Sequence, residues 1–228
     1  MSIPAAESLR SPDNACEADP RNIGFVINSM EGSRPYALKD HHDSIANLEL
    51  HAGVPEEIRI HFETTKNLYL YCWFVYRFYP VALHYSFVSL EFALRRRFEE
   101  EMVADGEKKR DHGPGLRELL KHAIENRHLR NENFQIWRHQ TELRARMRTS
   151  EETIKKMMRE NLTELEYDEN AFEITDSDRD HDLLMPLLEN YPNIRNHYAH
   201  GSRSLSNHAL STIQIVSEII NQIFASNE

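Results

Sequence analysis

A chain of 228 residues with 40% hydrophobic and 28% charged side chains and only 7 glycines is long enough to bury a core, and is neither collagen-like nor disordered in composition. Its net charge of −10 argues against a general nucleic-acid binder, although the charge is uneven: residues 1–79 carry −4, residues 80–148 carry +3 and residues 149–228 carry −9. Cys16 and Cys72 fit no close-spaced redox or metal pattern, no apolar run approaches a membrane span, and the acidic, proline-bearing start is unlike a signal peptide. These features lead to the expectation of a soluble cytoplasmic protein.

Residues 1–50 mix Pro, Gly, Ser and Asn and read as an irregular extension, with "GFVIN" as a short strand and "EGSRP" as a turn. From Pro55 the pattern becomes helical. Pro55 followed by Glu56 and Glu57 suits a helix start, and Ile58, Phe62, Leu68, Tyr69, Cys72, Trp73 and Tyr76 follow at helical spacing. Pro80 should break or kink this run. A second long helix is expected over 81–102, with Leu83, Phe87, Leu90, Leu94 and Phe98 on one stripe. "ADGEKKRDHGPG" is a polar loop and "LRELLKHAIENRH" a short amphipathic helix. "FQIWRHQTELRARMRTSEETIKKMMRENL" is helix-forming, with Thr149 and Ser150 as a point of division, and Tyr167 to Asp182 is an acidic connection.

Two further helices complete the pattern. "LLMPLLENYPNIRNHYAHG" places Leu184, Leu187, Leu188, Tyr191, Ile194 and Tyr198 on a stripe that stops at Gly201. Ser206 or Asn207 caps a last helix whose apolar face is Leu210, Ile213, Val216, Ile220 and Phe224. The expected fold is an all-α bundle of about five or six helices over 51–228, behind the irregular extension 1–50.

Several motifs fail on spacing. In "DSDRDHD" (Asp176 to Asp182) the calcium-loop positions for glycine and the twelfth carboxylate hold His181 and Leu187. His41, His42 and Asp43, or His197 with His200, lack the further ligands of a recognisable metal site, and no P-loop, dinucleotide fingerprint or nucleophile elbow is present. No metal or other cofactor is expected.

The stretch "PNIRNHYAHGS" (Pro192 to Ser202) remains. Pro192 can start a fresh helical turn, and Asn196 and His200, four apart, then share a face. Arg195 and His200, five apart, diverge by about 140° on a regular helix, so their convergence needs a frayed helix end or a second copy of the motif. A histidine that exchanges protons near neutral pH beside a guanidinium that grips a phosphoryl oxygen suits RNA cleavage without metal. The alternative is structural: a histidine favouring the negative helix end, and Arg195 paired with Glu189 or Glu91.

"IRNHYAHG" resembles the R-x-x-x-x-H signature of the HEPN superfamily (higher eukaryotes and prokaryotes nucleotide-binding). "YPVALHYSFVSLEFALRRRF" looks like the long early helix of bacterial members, "GLRELLKHAIE" resembles the short helix after it and "EIINQIF" the closing helix. The resemblance covers about Pro55 to Phe224. It implies a homodimer whose paired motifs line a shared cleft, a metal-independent endoribonuclease activity, and a toxin or defence setting with an antitoxin or nucleotidyltransferase partner. Arg195 matches the signature arginine, Asn196 the polar residue after it and His200 the signature histidine, while Glu91 resembles an acidic position near the motif. Glu91 can equally form an ordinary pair with Arg95. Arg95, Arg96, Arg97, Arg144, Arg146 and Arg148 are candidate contacts to an RNA backbone. The same resemblance also allows a non-catalytic bundle that binds a nucleotide, an RNA or a protein.

Overall fold

The computed structural model describes residues 3–30, 32–104, 113–165, 168, 171–200, 205 and 207–225. Among these the chain is mainly helical. A hairpin of β1 (Val26–Ser29) and β2 (Gly32–Pro35) is followed by α1 (Leu38–Ala46), α2 (Glu56–Tyr71), α3 (Phe78–Ala104) and α4 (Leu116–Glu125). Then come α5 (Gln135–Glu160), the short α6 (Asp176–Arg179), α7 (Leu184–Ala199) and α8 (Ala209–Ile223).

Helix α3 is the axis of the bundle and packs on α2, α4, α7 and α8. Its sequence suits that place. The stripe Leu83, Phe87, Leu90 and Leu94 is buried throughout, and Ala82, Ser86, Ser89 and Ala93 widen it into a face that several neighbours can share. The Ser86 and Ser89 hydroxyls donate to the Leu83 and Tyr85 carbonyls of their own helix, so neither is left unsatisfied. Opposite lies α8, whose Ile213, Val216, Ile219, Ile220 and Ile223 are all buried. Each such side chain contributes about 1.5–3 kcal/mol of transfer free energy. Helix α5 makes its main contacts with the turn Asn131–Asn133 and with α6, and buries only Trp137, Thr141 and Ala145.

The structure departs from the expected boundaries in four places. Helix α2 ends at Tyr71, and the chain turns through residues 72–77 before Pro80. Pro80 therefore falls in the first turn of α3, where a missing amide hydrogen leaves no helical bond unmade. Helix α5 is not divided at Thr149, because the Thr149 and Thr153 hydroxyls donate to carbonyls one turn back and the backbone ladder continues. Pro192 starts no fresh turn either; it lies buried inside α7, which runs on through it. Asn207 is not the cap of α8, whose first turn follows His208, while Ser206, Gly201 and the loop residues 105–112 lie outside the described residues.

The first 50 residues contain more order than an irregular extension. Their segment 32–35, expected as a turn, is the second strand of the hairpin, and α1 forms where loop was expected. Ile45 of α1 joins the main core. His41, also buried, lies against Tyr69: its Nε2 is 2.8 Å from the Tyr69 carbonyl and the two rings stack at 4.5 Å. Further back, the segment clips the elbow between α2 and α3. The Asp19 amide donates to the Trp73 carbonyl (2.9 Å), the Asn22 amide nitrogen to the Cys72 and Trp73 carbonyls (2.8 and 3.0 Å), and the Arg10 guanidinium to the Phe74 carbonyl. A closed helix corner would otherwise leave these carbonyls bare. Among the described residues no helix is long and apolar enough to cross a membrane.

Candidate functional site

Helix α7 carries the "IRNHYAH" stretch across its last turns and delivers it to the middle of α3. The Phe87 and Tyr191 rings meet edge to face at 5.1 Å, and one turn further the Arg195 Nη2 donates to Glu91 Oε2 at 3.0 Å. Two contacts with the same offset mean that α3 and α7 run in the same direction here. Glu91 is shared, since its Oε1 accepts from Arg95 Nη2 at 3.1 Å, so one carboxylate holds two guanidiniums. Arg95 also donates to the Pro114 carbonyl, and Arg195 Nη1 donates to Asn196 Oδ1 at 3.2 Å. The two ion pairs that the sequence allowed for Glu91, with Arg195 and with Arg95, are thus formed together.

His200 stands elsewhere. It is the residue closing α7, its amide still donating to the Asn196 carbonyl (3.1 Å), so the helical register holds to the end. Its side chain is exposed and makes no hydrogen bond or ion pair among the described residues. With that register, Arg195 and His200 of one chain differ by about 140° around the axis and about 7.5 Å along it. No frayed turn brings them together. Arg195 faces α3, while Asn196 and His200 face outward.

A residue that sequence reasoning passed over lies on the Arg195 side. His84 is on α3, two turns before Glu91, and is half-buried with its Nδ1 buried and without a hydrogen-bond partner. Burial lowers its pKa, and the Arg195 charge lowers it further. Arg195 Nε is likewise buried and unpartnered. The signal was present in the spacing of His84, Glu91 and Arg95, seven and then four residues apart, a polar line beside the apolar stripe of the same helix.

Compared with known protein families, curated proteins and solved structures, the chain gives no match.

The remaining candidates are held in structural contacts. Arg96 pairs with Glu100 (3.0 Å) and reaches Glu57, and Arg97 pairs with Glu101 (2.8 Å), which also binds His122 and His128 at 2.7 and 2.6 Å. The basic triplet of α5 and the acidic connection, read separately from sequence, are each other's partners. Arg144 donates to the Asp180 carbonyl and Arg146 stacks over Phe172. Arg148 donates to both oxygens of Asp178 and to the Glu173 carbonyl. Asp178, whose side chain is nearly fully buried, also accepts from the Thr175 amide and hydroxyl. The arginine hydrogen bonds first, and the Thr175 amide next, hold its pKa well below the usual carboxylate range. Among the described residues no group of three or more His, Cys, Asp or Glu is arranged to hold a metal ion. His41 is in the core, and His42 sits beside Asp43 on the surface.

Proposed function

We propose that the chain is an endoribonuclease of the HEPN type that works as a homodimer and needs no metal ion. The observation that carries this reading is an arginine, Arg195, fixed by Glu91 at a partly exposed seam between α7 and the middle of α3, with the exposed His200 ending the same helix just before the closing helix α8. The reaction is attack of an RNA 2′-hydroxyl on the adjacent phosphorus. Arg195 stabilises the charge that grows on the phosphoryl oxygens, His200 moves a proton, and Asn196 orients His200 or the phosphate. A second copy supplies what one chain lacks, because two motifs facing each other across a cleft bring the His200 of one chain to the Arg195 of the other. A toxin or defence role, with an antitoxin or nucleotidyltransferase as partner, fits this activity.

One observation favours a second reading. The Arg195 charge is already met by Glu91, as it would be in a bundle that binds RNA or a nucleotide without cutting it. Incubating the purified protein and its Arg195→Ala and His200→Ala variants with mixed RNA in EDTA separates the two. The nuclease reading expects 2′,3′-cyclic phosphate ends with wild type and none with either variant. Cleavage by His200→Ala at the wild-type rate refutes the mechanism, and RNA that is bound and left intact by wild type points to the second reading.

A further inference from the structure

Within one chain, Arg195 and His200 point to different sides of α7, so a proton acceptor from the same chain on the Arg195 side comes from another element. Among the described residues His84 meets that description. His84 lies on the face of α3 that receives α7, on the same line as Glu91 and Arg95, and close enough to Arg195 to feel its charge. Side chains on a helix lean toward its N-terminus, so Arg195 leans back along α7 toward the level of His84.

Two polar atoms there are out of balance. His84 Nδ1 and Arg195 Nε are both buried and both lack a partner, whereas the Ser86 and Ser89 hydroxyls on the same helix are satisfied. Buried polar atoms of a folded protein are nearly always paired, so each exception calls for an explanation, of which a catalytic role is one. The charge that acts on His84 is that of Arg195 from α7, while Glu91 and Arg95 lie two and three turns further along α3, with Glu91 bonded to both arginines.

We infer that His84 is the general base of the Arg195 site, taking the 2′-hydroxyl proton while Arg195 holds the phosphoryl oxygens of the same nucleotide. This rests on the nuclease reading above and divides the labour that reading leaves open. The bond from O2′ to phosphorus forms and the bond from phosphorus to O5′ breaks. The 2′-hydroxyl proton goes to the His84 ring, and O5′ receives a proton from His200 of the second copy. The products are a 2′,3′-cyclic phosphate and a 5′-hydroxyl end. A histidine that stays neutral at pH 7 beside a fixed cation is ready to accept a proton, and the Arg195 field then opposes keeping it, so the proton leaves readily for the next cycle.

The test is steady-state cleavage of a single-stranded RNA by wild type, His84→Ala and the near-isosteric His84→Gln, each shown by far-UV circular dichroism to be folded. The expected result is a kcat lowered about 10²–10⁴-fold in both variants with KM little changed, loss of the acid limb of the kcat profile, and recovery of His84→Ala by added imidazole. Imidazole rescue would not follow from a merely structural role. In wild type, NMR titration should place the His84 ring below the ordinary histidine pKa, and Arg195→Ala should raise it. If wild type cuts RNA and the His84 variants cut it equally well with the same acid limb, His84 is not the base and the nuclease reading stands without it. If wild type fails to cut RNA at all, the nuclease reading falls and this inference falls with it.

Discussion

Replacing Asp19 by asparagine should weaken the whole molecule, because Asp19 is the centre of the clip that fastens the N-terminal segment to the elbow entering α3. Its fully buried carboxylate accepts from Arg21 Nε (2.9 Å), Arg21 Nη2 (2.8 Å), the Arg21 amide (3.0 Å) and the Tyr76 amide (3.2 Å). Burial alone would raise its pKa, but the bonds from Arg21 and Tyr76 outweigh burial and hold it at about 2 against an ordinary 3.8. A depressed folded-state pKa means stability that is fully present above about pH 4 and is lost as pH falls toward 2. The gap corresponds to roughly 2 kcal/mol. Asp19→Asn keeps the shape and loses the charge, so it should cost about 2–3 kcal/mol at pH 7, and Asp19→Ala about 3–5 kcal/mol by leaving the Arg21 Nε and Nη2 and the Arg21 and Tyr76 amides without their acceptor, with only Arg21 Nη1 keeping its bond to Glu7.

Urea unfolding followed by circular dichroism at pH 7, 4 and 2.5 measures both terms. Asp40 and Asp178 are also held low, by Arg34 and Arg148, so wild type loses stability in acid for several reasons. The difference between wild type and Asp19→Asn isolates the one carboxylate. It should be large at pH 7 and shrink by about 1.5 kcal/mol by pH 2.5. Coincident unfolding midpoints at pH 7, or a difference that does not narrow in acid, would refute the argument.

Two other variants probe the site and its support. Glu91→Gln removes the charge that neutralises Arg195 and Arg95. With both partners partly exposed this should cost only about 0.5–1 kcal/mol of stability, while RNA binding tightens and its dependence on log salt steepens by about one. Weaker binding in a filter assay would contradict that role for Glu91. Phe87→Ala removes a fully buried ring that holds α3 against Tyr191 of α7, and should cost about 3–5 kcal/mol in urea unfolding. A loss below about 1 kcal/mol would mean that the two helices do not depend on this contact.

Much of the bundle was legible because its helices announce themselves by period. The stripes of α3, α7 and α8 face the core, buried at Leu83, Phe87, Leu90, Leu94, Leu184, Leu187, Tyr191, Ile213, Val216 and Ile220 and only partly buried at Phe98, Leu188, Ile194, Tyr198, Leu210 and Phe224. Helix α1 was hidden because one of its two buried positions is His41, a polar residue made acceptable by the Tyr69 carbonyl and ring, which are far away in sequence. Proline was over-read twice. Pro80 sits where a helix needs no amide, and Pro192 sits in a helix whose packing on α3 and α4 outweighs one missing bond. In the site, the Arg195–Glu91 pair was among the possibilities raised by charge type alone, but choosing Glu91 over Glu189 required knowing that α3 and α7 lie side by side. His84 was missed for the same reason: its meaning comes from a residue on another helix.

The clip at the elbow also fixes a timetable for the nascent chain. Its bonds join residues separated by 50 to 64 positions, so the segment around Asp19 and Asn22 is synthesised well before the carbonyls it must meet. At about 5–20 residues per second, that leaves a wait of roughly 3–13 s in which the Asn22 side chain and the Arg10 Nη2 lack the elbow carbonyls they meet in the fold. The segment is therefore fastened only once the elbow has been made. A chaperone or a competing chain that occupies it in that interval would act on the entry to α3, and through α3 on Glu91 and His84.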